Sequence, residues 1–202
     1  MKFTANQPFI LASASPRRKE LLDMLGFAFE IEPSPKEEPN PEEFNSAVDY
    51  VRACAALKAR DIAAAHPQAA VIGSDTVVVL DGEVLRKPQN KGEARSSLRK
   101  LSGRTHEVIT AVHILHGTFE LPFHEITKVT FHELPEEWIE AYIETPDPYD
   151  KAGAYGIQTL SGLFVKGIEG EYHTVVGLPM SSLTQKLAQA GLISLERSHV
   201  EC

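Results

Sequence analysis

With 202 residues, 43% of them hydrophobic and 24% charged, the chain has an ordinary globular composition, long enough for one large domain or one domain of two lobes. Asp plus Glu outnumber Lys plus Arg by 28 to 20, and the net charge of -8 argues against broad binding to nucleic acid or to an anionic membrane, so any phosphate site must be a local pocket. The two cysteines, Cys54 inside an expected helix and Cys202 at the C-terminus, form neither a disulfide framework nor a zinc spacing, which fits a reducing cytoplasm.

At the N-terminus, Lys2 with a short apolar run and Ala12-Ser13-Ala14 imitates a secretory leader. The uninterrupted apolar segment is only Pro8 to Ala12, below the roughly 7–15 residues such a leader needs. Phe9 to Ala12 is therefore expected as a short buried strand. A helix follows at once, with Ser15 as N-cap, Pro16 as first helical residue, Leu21, Leu22 and Leu25 as the apolar stripe and Gly26 as the stop. Its first turn carries Arg17, Arg18 and Lys19, which oppose the partial positive charge of a helix N-terminus at roughly a few tenths of a kcal/mol each. That pattern points to a bound anion. Phosphate fits, because free N–H groups, the Ser13 and Ser15 hydroxyls and the guanidinium forks converge on one spot.

Phe27 to Ile31 is expected as a second strand, followed by an irregular acidic loop from Glu32 to Glu43 with four prolines and five glutamates. Glu37 and Glu38 read as solvated there unless a metal recruits them, since Mg²⁺ is held by one or two carboxylates together with substrate phosphates. A long alanine-rich helix is expected from Pro41 or Glu42 to His66, and on it Lys58 by itself reads as a solvated lysine. Ala69 to Leu80 is too apolar and too β-branched for anything but a central strand, and Asp81-Gly82 signals a two-residue hairpin returning through Glu83 to Leu85. That register sets Thr76 opposite Lys87 with Asp75 one step outside. An ionised Asp75 in an otherwise apolar strand is costly unless a cation or hydrogen bonds compensate, which makes it the leading acid candidate against a role as a turn aspartate. Lys87 either touches a phosphate oxygen or pairs with Asp75.

Lys91 to Leu101 reads as a helix stopped at Gly103, and Thr105 to Leu115 and Phe119 to Phe131 as two long strands turning at Gly117. A helix from Pro135 to Ile143, a polar Gly-rich segment from Pro146 to Gly170, a short strand near His173 to Val176 and a helix after Pro179 complete the pass. His113 and His116 fall on opposite faces of one strand, so they make no metal pair. Asp150 to Gln158 holds two glycines suited to close backbone approach, as a base-recognition loop or a structural turn. No Walker A signature, no G-x-G-x-x-G and no local Ser/His/Asp set occurs, and no apolar run approaches the roughly 20 residues of a membrane span.

Four ordered motifs carry a resemblance: Ser13-Ala14-Ser15-Pro16-Arg17-Arg18 with Glu20-Leu21-Leu22, then Gly73-Ser74-Asp75-Thr76, Leu85-Arg86-Lys87-Pro88, and Leu101-Ser102-Gly103 with His106. From about Phe9 to the final helix the chain resembles the Maf nucleotide pyrophosphatases. Lys151-Ala152-Gly153-Ala154-Tyr155-Gly156-Ile157-Gln158 and Val175-Val176-Gly177-Leu178-Pro179 are similar to the branch acting on dTTP and UTP, rather than the one preferring 7-methyl-GTP. The resemblance implies a single α/β domain over residues 1–202, with a mixed central sheet flanked by helices and two lobes around a long cleft, similar to the inosine triphosphate pyrophosphatases. It also implies a cytoplasmic hydrolase, a homodimer, that cleaves a nucleoside triphosphate between the α- and β-phosphates with a divalent metal, Mg²⁺ or Mn²⁺. By motif, Asp75 is the implied proton acceptor; Ser13, Arg18, Lys58 and Lys87 fall on phosphate-binding positions, and Arg17, Thr76 and Gln158 on positions linked to base selectivity. The family's loop glutamate matches Glu38, with Glu37 as the alternative. Two other functions stand beside this one: a pyrophosphatase for modified purine nucleotides, and a nucleotide-sensing division regulator without turnover.

Overall fold

The computed structural model describes residues 2–196, so Cys202 lies outside the described residues. In chain order the elements are β1 (Phe3–Ala5), β2 (Phe9–Leu11), α1 (Pro16–Asp23), β3 (Glu30–Ile31), α2 (Ala47–Ala63), β4 (Ala70–Leu80), β5 (Glu83–Leu85), α3 (Lys91–Leu101), β6 (Thr105–His116), β7 (Phe119–Phe131), α4 (Glu136–Ile143), β8 (Val165–Glu169), α5 (Tyr172–Val176), α6 (Met180–Gln189) and β9 (Ile193–Leu195). Seven strands form one mixed sheet in the order β3-β2-β4-β6-β7-β8, with β5 also on β4, while β1 and β9 pair separately. β2 runs parallel to β3 and β4, and the remaining pairs are antiparallel.

β4 is covered on both faces, which is why its sequence is a continuous β-branched run rather than an alternation. Val77 and Val79 point to one face, packing with Ile109 and Ala111 against Tyr50, Val51, Cys54 and Ala55 of α2. Ile72 and Val78 point to the other, into two separate cores: one gathers Leu21 and Leu22 of α1 with Leu183 and Leu187 of α6, the other Leu98 and Leu101 of α3 with Ile139 and Ile143 of α4. Each fully buried Leu or Ile in these clusters contributes about 1.5–3 kcal/mol.

A strand has two edges, and β6 covers one edge of β4 from Val71 to Val79. The opposite edge is shared, with β2 pairing at Ala70 to Ile72 and β5 at Val78 to Leu80. Between them Gly73 to Val77 is left unpaired on that edge. The chain leaving β2 and the chain leaving β5 therefore both diverge beside Asp75 and Thr76.

The mixed α/β class, the Ser15-capped first helix, the 81–82 hairpin and the 91–101 helix agree with the sequence reading. Six elements differ. The second helix begins at Ala47 rather than Pro41, because Asn40 caps a separate 3₁₀ turn at Pro41–Glu43 and Ser46 then caps α2 by accepting from Asp49 N–H. The strand after Gly26 shrinks to Glu30–Ile31. Tyr172–Val176 is a helix, not a strand: Gly177 ends it at φ 128, and its C-terminal carbonyls are taken up by side chains from elsewhere. β8 within the Gly-rich segment and the β1–β9 pair were not expected, being short or largely exposed.

Candidate active site

The unpaired stretch of β4 is the floor of a cleft of about 380 Å³. Ser13, Ser15, Arg17 and Arg18 line it from the start of α1, Lys58 from α2, Asp75 and Thr76 from β4, Lys87 from beyond β5, and Gln158 from the 150–158 segment. Lys87 arrives without ladder pairing: the register 80–83, 79–84, 78–85 is as expected, but β5 stops at Leu85 and Thr76 faces Thr110 of β6 instead.

Successive residues of a strand point to opposite faces, so Asp75 and Thr76 work in different surroundings. Asp75, 8% exposed, turns toward α2, where Lys58 Nζ donates to its Oδ1 at 2.6 Å. The same ammonium donates to Glu38 Oε1 at 2.6 Å, so Lys58 is no solvated lysine but the bridge between the strand and the acidic loop. Burial would lower the Lys58 pKa, but contact with Asp75 and Glu38 outweighs it and the net shift is upward. For Glu38 burial acts upward, yet the Lys58 hydrogen bond and charge bring its carboxyl below the usual range.

Thr76 turns to the face of α5. Arg18 is fixed there by three donated bonds: Nε to the Gly177 carbonyl at 2.8 Å, Nη1 to Ser13 Oγ at 3.1 Å and Nη2 to Thr76 Oγ1 at 3.0 Å. Burial lowers its pKa, partly offset by the charge of Asp75. Five N–H groups less three leave two to face the cleft. Among the described residues neither Arg18 nor Lys87 is paired with a carboxylate. The basic first turn is otherwise neutralised, Arg17 by Asp150 at 2.6 Å and Lys19 by Asp23 at 2.6 Å.

The 150–158 wall is held from behind. Lys151 is buried and donates to Asp147 Oδ1 at 3.0 Å and Asp150 Oδ1 at 2.6 Å, and a Cβ on Gly156 would lie 2.7 Å from its Cε. Tyr155 Oη lies 2.8 Å from His106 Nε2, and burial brings that imidazole down to about 4.

Glu38, Cys54 and Asp75 each bring a donor atom within 4.8 Å of the others. Burial pushes the Cys54 thiol up to about 12, so it stays protonated, and what remains is a carboxylate pair that fits a hard divalent cation. A family model described as Maf-like protein matches residues 8–190. The chain belongs to the Maf family. A relative from Bacillus cytotoxicus named dTTP/UTP pyrophosphatase is 46% identical over 181 residues, covering 90% of this chain and 94% of the relative. One of the same name from Bacillus pumilus is 47% identical over 184 residues, 91% of this chain and 96% of the relative. The Staphylococcus aureus Ham1 protein superposes with a TM-score of 0.55 over 92% of this chain and 100% of that one at 13% identity, a likeness of fold.

Within this Maf-family chain, the nine expected residues from Ser13 to Gln158 other than Glu38 line one cleft, and Glu38 reaches it through Lys58. Sequence reasoning missed the Gly177 carbonyl and the Thr110 hydroxyl. The first had a signal, the glycine before Leu178-Pro179, but nothing in a strand pattern distinguishes a Thr that packs from one that directs a neighbour's proton.

Proposed function

We propose that this protein hydrolyses the α–β phosphoanhydride of dTTP and UTP, giving the nucleoside monophosphate and pyrophosphate. The observation that carries this reading is the convergence on one cleft of four cations and a single strand carboxylate, Asp75, on a chain about 47% identical to relatives of that name. Phosphoryl transfer asks for charge neutralisation and an oriented water rather than covalent work by the protein, and this residue set answers that demand. A divalent cation, Mg²⁺ or Mn²⁺ held by Glu38 and Asp75, would supply Lewis-acid polarisation of phosphate oxygens.

In this reading Asp75 orients or deprotonates the attacking water, and its neighbour Lys58 holds its Oδ1 in place. Arg17, Arg18, Lys58 and Lys87 neutralise the triphosphate and the departing pyrophosphate, while Ser13 and Ser15 donate to phosphate oxygens. Thr76, Gln158 and the 150–158 wall face the nucleoside. No helix among the described residues is long and apolar enough to cross a membrane. A cytoplasmic homodimer completes the reading on the strength of the family, and light scattering tests the assembly.

Product analysis across UTP, dTTP, ITP, GTP and 7-methyl-GTP with Mg²⁺ or Mn²⁺ tests the function. Pyrophosphate release from UTP and dTTP well above the purine nucleotides is expected. The reverse order assigns the cleft to modified purines, and saturable binding without product assigns it to a nucleotide-sensing regulator.

A further inference from the structure

A line of hydrogen bonds runs from the cleft to the buried side of the sheet. Arg18 Nη2 donates to Thr76 Oγ1 at 3.0 Å, the Thr76 and Thr110 hydroxyls lie 3.0 Å apart, and Thr110 Oγ1 donates to the Thr174 carbonyl at 2.7 Å. A hydroxyl has one proton and two lone pairs, a carbonyl only accepts, and a guanidinium only donates. The Thr110 proton is therefore committed to Thr174, so the bond between the hydroxyls must run from Thr76 to Thr110. Arg18 occupies one Thr76 lone pair. What Thr76 keeps for the cleft it lines is the other lone pair and no proton.

Ser13 has the opposite balance. Its Oγ accepts from Arg18 Nη1 at 3.1 Å and from Ser15 N–H at 3.3 Å, which leaves its proton to give to a phosphate oxygen.

We propose that Thr110, fully buried and out of reach of any substrate, is a positioning residue for specificity: by holding the Thr76 proton it makes Thr76 an acceptor-only contact that selects a hydrogen-bond donor on the nucleoside. This rests on the function proposed above. Ionised phosphates offer acceptors only, so the triphosphate is turned away from Thr76 toward Ser13 and the cations. dTTP and UTP share two neutral donors, the imide N–H of the base and the 3′-hydroxyl of the sugar. Cytosine has an acceptor where uracil and thymine have the imide N–H.

The test is kcat/KM for UTP, CTP and 3′-deoxy-UTP in the wild type, Thr110→Ser and Thr110→Val, with thermal unfolding of each. Wild type should use CTP about tenfold less well than UTP, the scale of one lost hydrogen bond that leaves a polar group unpaired. A gap at CTP identifies the imide as the donor; a gap at 3′-deoxy-UTP alone puts the sugar there, where the lost donor leaves Thr76 unpaired whatever holds its proton, and overturns the inference. Thr110→Val frees the Thr76 proton to meet the cytosine acceptor and should close the CTP gap, and Thr110→Ser should restore it. If Thr110→Val does not fold, Thr76→Val removes the same acceptor and must close the gap in its place. A gap that survives in the folded variant overturns the inference, as does an equal loss for every nucleotide or a wild type indifferent to both changes. Wild type that releases no pyrophosphate from UTP or dTTP overturns the proposed function and this inference with it, whereas normal UTP turnover with an unaltered gap overturns the inference alone.

Discussion

Lys58 Nζ sits 2.6 Å from Asp75 Oδ1 and 2.6 Å from Glu38 Oε1, so one ammonium bridges two carboxylates that would otherwise repel each other. A divalent cation seeking the same two carboxylates competes with it. Replacing Lys58 by Met removes the competitor, and Mn²⁺ should then bind more tightly by roughly tenfold or more, in line with about 1–4 kcal/mol for a unit charge at 4 Å. Calorimetric titration without nucleotide reads this directly, and unchanged affinity would detach the carboxylate pair from metal binding. Turnover should fall in the same variant, because the phosphates lose a cation.

Asp75→Asn preserves shape and removes the capacity to accept a proton. Turnover should drop by about 10²-fold or more, the usual scale of a general base, while nucleotide still binds. Stopped-flow or steady-state release of pyrophosphate, set beside equilibrium binding, separates the two effects. Full activity in this variant would remove Asp75 from the chemistry.

Gly73 carries no side chain because α2 lies against it: a Cβ there would fall 2.3 Å from the Ala55 carbonyl oxygen and 2.7 Å from Ala59 N. Gly73→Ala should push α2 away from β4, at about 1–3 kcal/mol of stability, and carry Lys58 away from Asp75. Urea unfolding and kcat should therefore fall together. Wild-type values for both would mean that the helix yields without moving the site.

His106 is held neutral by burial, with a folded pKa of about 4 against an unfolded value near 6.5. The stabilisation from keeping it neutral is complete above pH 6.5 and is lost as pH falls toward 4, amounting to about 3 kcal/mol. Unfolding free energy measured from pH 7 to 4 should decline less steeply in His106→Asn than in wild type. Because His106 holds Tyr155 on the cleft wall, the variant should also raise KM.

Local chemistry written in the sequence was sufficient for several features. Ser15-Pro16 begins α1, Asp81-Gly82 turns β4 into β5 in the expected register, and an apolar β-branched run makes β4 the buried centre of the sheet, because caps, turns and periodicity depend on residues a few positions apart. The same short-range rules misread Tyr172–Val176, where β-branched residues form a helix whose end carbonyls are satisfied by Thr110 and Arg18, more than 60 and 150 residues away. They also read Lys58 as solvated, since nothing near it in sequence shows that Gly73 lets α2 lie close enough to bring it onto Asp75. Which residues exist and how each segment starts and stops is local and was fixed by the chain itself. Which charge meets which, and which proton each hydroxyl retains, depends on contacts between distant segments and was decided only when the sheet left one edge of β4 open.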